Sequence, residues 1–226
     1  MPTDALINVN GESVQALEIL FLTTIMMLLP SLIIMMTSFT RYVVVFSFLR
    51  SAMGTQQTPP NMVLVGMALI LTLFTMSPTL SAINEEAFQP YQEEEITQEE
   101  FFQRAQVPLK RFMTSYTRVE SMELYCNMSG TPVPETEEAA QNLPLTVIIP
   151  AFVTSELKQA FFIGFLLYIP FMLIDMVVAS TLMSMGMVML PPSMISTPFK
   201  LLLFISVNGW EMLFASLVRG VGLGLP

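Results

Sequence analysis

The sequence predicts an all-α membrane protein in which two hydrophobic helical hairpins flank a small helical extracytoplasmic insertion. Of the 226 residues, 53% are hydrophobic and only 12% are charged, a composition that argues against a soluble protein. Residues 84–145 hold 12 of the 18 acidic side chains but only 4 of the 9 basic ones. The apolar remainder is therefore nearly neutral. This division predicts an N-terminal unit at 1–83, an acidic helical domain at 84–149 and a second apolar unit at 150–226.

Four apolar segments are each close to the length needed to cross a bilayer. They are residues 19–36 and 61–84 without any charge, 159–190 with only Asp175, and 201–217 with only Glu211. The third would span about 50 Å as a straight helix, more than the ~30 Å of a bilayer core. It must tilt, protrude or break, and Pro170 and Gly186 are the candidate breaks.

Basic residues predict how these segments are oriented, because they favour the cytoplasmic side. The loop between the first two segments carries Arg41 and Arg50, and the turn between the last two carries Lys200. Both are expected in the cytoplasm, with the acidic insertion and the termini outside. Residues 1–13 are polar and acidic, unlike a secretory signal, so either the first apolar segment directs insertion or a leader lies outside this sequence.

The insertion is predicted to fold as helices. Thr97 and Glu100 have the spacing of a capping box, Pro108 is expected to end or restart the helix that they begin, and Ser129-Gly130 is expected to stop the next. Apolar residues at helical spacing predict a buried face: Leu109, Phe112, Met113, Tyr116 and Val119. Residues 131–142 resemble a linker.

The residue types exclude most enzymes. The chain has no histidine, and Cys126 is its only cysteine, so disulfide frameworks and the familiar zinc sites are excluded. Gly220, Gly222 and Gly224 lack the context of a phosphate-binding loop. Basic residues do not cluster as nucleic-acid binding requires. We expect no catalytic site, no metal and no cofactor.

Methionines at alternate positions mark the end of the third apolar segment. Met183, Met185, Met187 and Met189 surround Gly186 and precede a double proline at 191–192. Methionine is unbranched and adapts to irregular surroundings. Composition alone favours core filler, whereas the Gly/Pro-Pro break favours a deformable constriction.

Several charged residues lie in or beside apolar sequence. Asp175 either relays protons or, as we favour, pairs with a basic residue. Glu156 precedes Lys158 and has two interpretations. Either it lies in the first turn of a helix that begins after Pro150 and is capped by Thr154 or Ser155, where an acid suits the helix dipole, or it bridges to Arg118 of a neighbouring subunit. Lys200 is expected to snorkel at an interface, and Glu211 indicates protein rather than lipid neighbours.

Sequence motifs then identify a family resemblance that covers nearly all of residues 15–215. The motifs are Thr37-Ser-Phe-Thr-Arg41, Leu49-Arg50, Gly54-Thr-Gln-Gln57, Pro59-Pro60-Asn61, Pro150-Ala-Phe-Val-Thr-Ser-Glu-Leu-Lys158, Phe162-Ile-Gly164, Met187-Val-Met-Leu-Pro-Pro192, Pro198-Phe-Lys-Leu-Leu-Leu-Phe204 and Gly209-Trp210. The chain resembles the FliP/SctR family of type III export-gate proteins, and Thr40-Arg41 favours the flagellar branch over the injectisome branch.

The resemblance implies a non-enzymatic core subunit of the flagellar export gate in the bacterial inner membrane and basal body. It implies a pentameric ring with FliQ and FliR, adjoining FlhB and FlhA, through which unfolded flagellar subunits pass. Met187 and Met189, with Met185, would form a gasket around the closed pore. The polar residues named above (Arg118, Glu156, Lys158, Asp175, Lys200 and Glu211) would lie buried or between subunits. The alternatives are an injectisome gate subunit, or a secondary transporter or proton-channel subunit centred on Asp175.

Overall fold

The computed structural model describes residues 7–9, 12–14, 16–187 and 189–222, whose regular secondary structure is helical apart from two short antiparallel strands. Strand β1 (Ile7–Val9) pairs antiparallel with β2 (Glu12–Val14). The helices are, in chain order, α1 (Ala16–Met35), α2 (Phe39–Met53), α3 (Asn61–Ile83), α4 (Gln89–Gln92), α5 (Gln98–Tyr116), α6 (Val119–Ser129), α7 (Glu137–Gln141), α8 (Leu145–Ser184), α9 (Pro192–Ser206) and α10 (Gly209–Gly222), with a π-helical stretch (Asn84–Phe88) joining α3 to α4. The all-α prediction is confirmed.

Long apolar helices confirm a multi-pass membrane protein. Among the described residues, Asn61–Gln92 and Leu145–Ser184 are each long and apolar enough to cross a membrane. The number rises to four if each of two bent pairs counts as one span. These pairs are Met26–Met35 with Phe39–Met53, bent by 70°, and Pro192–Ser206 with Gly209–Val221, bent by 63°. The pairing of these segments into two hairpins stays a prediction.

Arg41 and Arg50 lie in α2, so the prediction of a loop between the first two apolar segments is wrong. Tyr42, Val45 and Leu49 recur at helical spacing and are fully buried, which gives this segment an apolar stripe that favours a packed helix. The helix ends at Gly54, whose φ of 75° is a left-handed conformation that glycine adopts readily.

Helix α8 begins at Leu145, so the expected start after Pro150 is wrong. The helix also continues through Pro170, leaving Gly186 as the correct candidate for its end. Each internal proline removes one backbone hydrogen bond. On both sides of Pro150 the helix buries Ile148 and Phe152 completely, and this packing outweighs the missing bond. At 40 residues, α8 would extend for about 60 Å.

The capping box of α5 is confirmed. Thr97 Oγ1 accepts from the Glu100 amide at 3.3 Å, and Glu100 Oε2 accepts from the Thr97 amide at 2.9 Å. The hydrogen bond from the Thr97 backbone holds the pKa of the Glu100 carboxyl below its usual value. Pro108 neither ends nor restarts this helix, because α5 buries Phe112 and Met113 beyond it.

The rest of the insertion agrees with the sequence in part. Helix α6 stops at Ser129 with Gly130 at φ 69°, as expected. Val119 does not share the buried face of α5, because the chain turns at Thr117 and leaves Val119 71% exposed. The short helix α7 lies within the segment that was expected to be a linker.

The core lies mainly between α2 and α8. Tyr42, Phe46 and Phe152 are fully buried there. The two helices approach closely at Gly164, where an added Cβ would lie 2.5 Å from Phe48 Cγ. This packing places both ends of α2 beside polar groups of other helices.

Candidate functional site

The methionine loop, defined here as residues 183–190, reverses the chain between α8 and α9. The Gly186 amide donates to the Met183 carbonyl at 3.1 Å, and the Met187 amide donates to the Leu182 carbonyl at 3.0 Å. With Gly186 at φ 75°, these bonds form a Schellman motif. Helix α9 then starts at Pro192, a position that suits proline because its missing N–H would have no partner in the helix.

The methionines of this loop face away from the core of the chain. Met183 and Met185 are each 67% exposed, Met187 is 41% exposed and Met189 is 96% exposed. The interpretation as core filler is therefore wrong for this chain. Flexible apolar side chains presented on a reversal are suited to contact another surface.

A buried ion pair joins the start of α2 to α8. Arg41 Nε donates to Glu156 Oε2 at 2.8 Å, and Arg41 Nη2 donates to Glu156 Oε1 at 2.5 Å. The two side chains are only 5% and 2% exposed. Arg41 Nη1 also donates to the Gly220 carbonyl of α10 at 3.1 Å. The planar guanidinium thus satisfies both carboxylate oxygens and a helix end at once.

A second polar cluster lies at the other end of α2. Lys200 Nζ donates to Asp175 Oδ2 at 2.6 Å and to the Ala52 carbonyl at 3.1 Å. Ser196 Oγ donates to Asp175 Oδ1 at 2.6 Å. The Lys200 side chain is 6% exposed and that of Asp175 is 41% exposed. Asp175 therefore pairs with a lysine, and Lys200 lies inside the fold instead of reaching an interface.

These two clusters fasten α2 at both ends. At its start, Arg41 connects it to α8 and α10; at its end, the Ala52 carbonyl connects it to α9 and, through Lys200 and Asp175, to α8. Each cation also meets a carbonyl in the last turn of a helix, where positive charge is favourable. The arrangement fixes the positions of the helices that carry the methionine loop.

Glu156 does not lie in the first turn of a helix, and neither Thr154 nor Ser155 caps one, because α8 begins well before them at Leu145. Arg118, proposed as its partner in a neighbouring subunit, donates here to Gln159 Oε1 at 2.5 Å. A bridge from Glu156 to Arg118 of a second copy stays a prediction, and it would compete with Arg41 for the same oxygens.

Two other residues that the sequence singled out, Lys158 and Glu211, lie at the surface. Lys158 forms an ion pair with Glu120 of α6, and the hydrogen bond and charge of Lys158 hold the pKa of Glu120 below its usual value. Both side chains are largely exposed, so solvent screens this pair. Glu211 is exposed in the first turn of α10, where an acid suits the helix dipole.

Sequence reasoning missed Arg41 and Ser196 as members of these clusters. The available signal was that the apolar segments contain few charges, so each buried acid needs a basic partner. The number of charges indicates that such pairs exist, but it does not show which of Arg41, Arg50, Lys158 and Lys200 pairs with each acid. The choice depends on how α2 packs along α8.

The described residues contain no group of three or more acidic, cysteine or histidine side chains that could hold a metal ion. Cys126 is buried in α6, and burial raises the pKa of its thiol, which disfavours the reactive thiolate.

A cavity of about 450 Å³ between α8, α9 and α10 is lined almost entirely by apolar side chains, among them Phe171 and Leu213.

Comparison with known proteins places the chain in a family. The model described as "FliP family" matches residues 22–217. The flagellar biosynthetic protein FliP of Aquifex aeolicus (strain VF5) is 52% identical over 210 residues, covering 93% of this chain and 87% of that protein. The protein of the same name from Bacillus subtilis (strain 168) is 49% identical over 202 residues, covering 89% and 90%. That from Caulobacter vibrioides is 45% identical over 225 residues, covering 96% and 84%. The resemblance predicted from the sequence motifs is confirmed, and this chain belongs to the FliP family.

Proposed function

We propose that this chain is a core subunit of the flagellar type III protein export gate and lines its protein-conducting channel. Family membership and the flagellar names of its relatives support the flagellar assignment and a role other than catalysis. The observation that carries the proposal is the methionine loop, whose side chains are exposed on a reversal fixed by backbone hydrogen bonds.

Several copies would surround the channel. We infer a ring of five, assembled with FliQ and FliR and adjoining FlhB and FlhA, in the bacterial inner membrane at the flagellar basal body. Large apolar side chains exposed on helices support extensive contacts with other subunits or lipid; examples are Ile70 and Phe74 of α3, Phe165 and Val177 of α8, and Leu202 of α9.

Met185, Met187 and Met189 from these copies would form a soft gasket. Methionine side chains can pack together when the channel is empty and rearrange around an extended polypeptide without requiring a particular sequence. The loop itself need not refold, because its backbone bonds are local. Gating would therefore be passive at this point, and the energy for transport would come from other components.

The alternative centred on Asp175 has less support. A proton relay needs a chain of exchangeable groups, whereas both oxygens of Asp175 accept hydrogen bonds from Lys200 and Ser196 inside the chain. The injectisome alternative is disfavoured because the relatives carry flagellar names.

Changing Met187 and Met189 together to alanine is expected to raise ion leakage through the assembled gate while export continues. Alanine removes the side-chain volume that closes the pore but leaves the Schellman motif intact. Ion conductance and export of flagellar subunits are measured in the same cells. The matched control changes Met62 of α3 and Met128 of α6 to alanine. These residues are 85% and 73% exposed, and the control should leave leakage unchanged. Leakage at the wild-type level in the loop variant would rule out the gasket.

A further inference from the structure

We propose that the methionine loop is also a binding site for a soft monovalent cation, Cu(I) or Ag(I), held by thioether sulfurs. Met183, Met185, Met187 and Met189 supply four thioethers within seven consecutive residues, and Met194 adds a fifth in the first turn of α9. Binding itself does not depend on the proposed role in export.

Ligand chemistry determines which ion the loop would take. Thioethers are neutral and polarisable, and they select soft ions such as Cu(I) over Mg²⁺ or Ca²⁺, which prefer oxygen. The chain has no histidine, and its only cysteine, Cys126, is buried in α6. Because neutral ligands do not compensate the charge of the ion, a monovalent cation is favoured over a divalent one.

Backbone geometry concentrates these sulfurs on one reversal. The bond from the Met187 amide to the Leu182 carbonyl closes the end of α8, and the Leu190 amide then approaches the Met187 carbonyl at 3.4 Å. Met185, Met187 and Met189 therefore lie between the two helices, Met183 lies in the last turn of α8, and Met194 lies in the first turn of α9. Since hydrogen bonds already close the backbone of these turns, we expect an ion to be bound by rotation of the methionine side chains.

Exposure leaves the thioethers free to rearrange around an ion. Met183, Met185 and Met189 are each at least 67% exposed, and methionine has three rotatable side-chain bonds. The nearest intramembrane acid along α8, Asp175, has both oxygens engaged by Lys200 and Ser196. It does not supply a competing hard ligand.

The test titrates the purified 226-residue chain in detergent with Ag(I), a redox-stable probe, by calorimetry. The loop variant carries Met185→Leu, Met187→Leu and Met189→Leu, which preserve apolar bulk but remove sulfur. The matched control carries Met62→Leu, Met128→Leu and Met172→Leu, three exposed methionines outside the loop. Because Met189 is 96% exposed, the single variant Met189→Leu provides a form in which folding is not at issue.

We expect the loop variant to bind Ag(I) at least about tenfold more weakly, in the range that disturbing a metal site commonly costs. The single variant should show a smaller loss in the same direction, and the control should bind as the wild type does. Wild-type affinity in the loop variant would overturn the proposal. An equal loss in the control would also overturn it, because it would indicate unspecific binding to exposed methionines.

Discussion

Replacing Glu156 with alanine is expected to lower the free energy of unfolding by about 3–5 kcal/mol, because it leaves the buried Arg41 guanidinium without its counter-charge. Arg41 is 4% exposed, so water replaces the lost carboxylate poorly. The measurement is denaturant unfolding of the purified chain in detergent. Fluorescence of Trp210, the only tryptophan, reports on α10, whose end Arg41 contacts at Gly220.

Two controls separate this effect from a general loss of charge. Glu120→Ala breaks the exposed pair with Lys158 and should change stability little. The double variant Arg41→Met with Glu156→Leu removes both charges and should recover most of the stability, since apolar replacements of a buried pair are often neutral. Equal losses of unfolding free energy for Glu156→Ala and Glu120→Ala would contradict the prediction that the buried pair contributes more to stability than the exposed pair.

The second large effect is expected at the other end of α2, where Asp175→Asn should destabilise the chain by about 2–3 kcal/mol. The change leaves the buried Lys200 ammonium with the Ala52 carbonyl but no negative partner. Lys200→Met should cost less, about 1 kcal/mol, because the carboxylate of Asp175 is 41% exposed and can be solvated. Thermal and denaturant unfolding in detergent measure both variants.

The Asp175→Asn variant also distinguishes a structural ion pair from a proton relay. A structural pair predicts that Asp175→Asn weakens folding or assembly and has no separate effect on proton flux. A relay predicts the reverse, with flux lost in a chain that folds and assembles normally. A stable, fully assembled Asp175→Asn variant that conducts no protons would contradict the structural interpretation.

Local sequence signals were the most reliable guides to this fold. The capping box at Thr97 and Glu100, the stop at Gly130 and the break at Gly186 each depend on a few neighbouring residues, and each was predictable. Motif resemblance likewise identified the family. Such signals need no knowledge of which helices meet.

The helix boundaries predicted at prolines and the loop predicted around Arg41 are wrong for one physical reason. Pro108 and Pro150 disfavour a helix locally, yet burial of Phe112 and Phe152 outweighs the missing bonds. Arg41 lies between two apolar segments and reads as a loop residue, because its partner Glu156 is far away in sequence and leaves no local signal. In both cases the deciding energy comes from tertiary packing, which the sequence pattern does not specify.

The sharpest test of the proposed gate is whether methionine loops from different copies meet. Met189→Cys in a Cys126→Ala background places one thiol at a loop position that is 96% exposed. Treating the assembled complex with a short thiol-specific cross-linker should join chains into covalent pairs and higher multiples, since the loops would converge around one pore. A chain that assembles, reacts fully with a monofunctional thiol reagent and yet forms no cross-linked products would contradict the account.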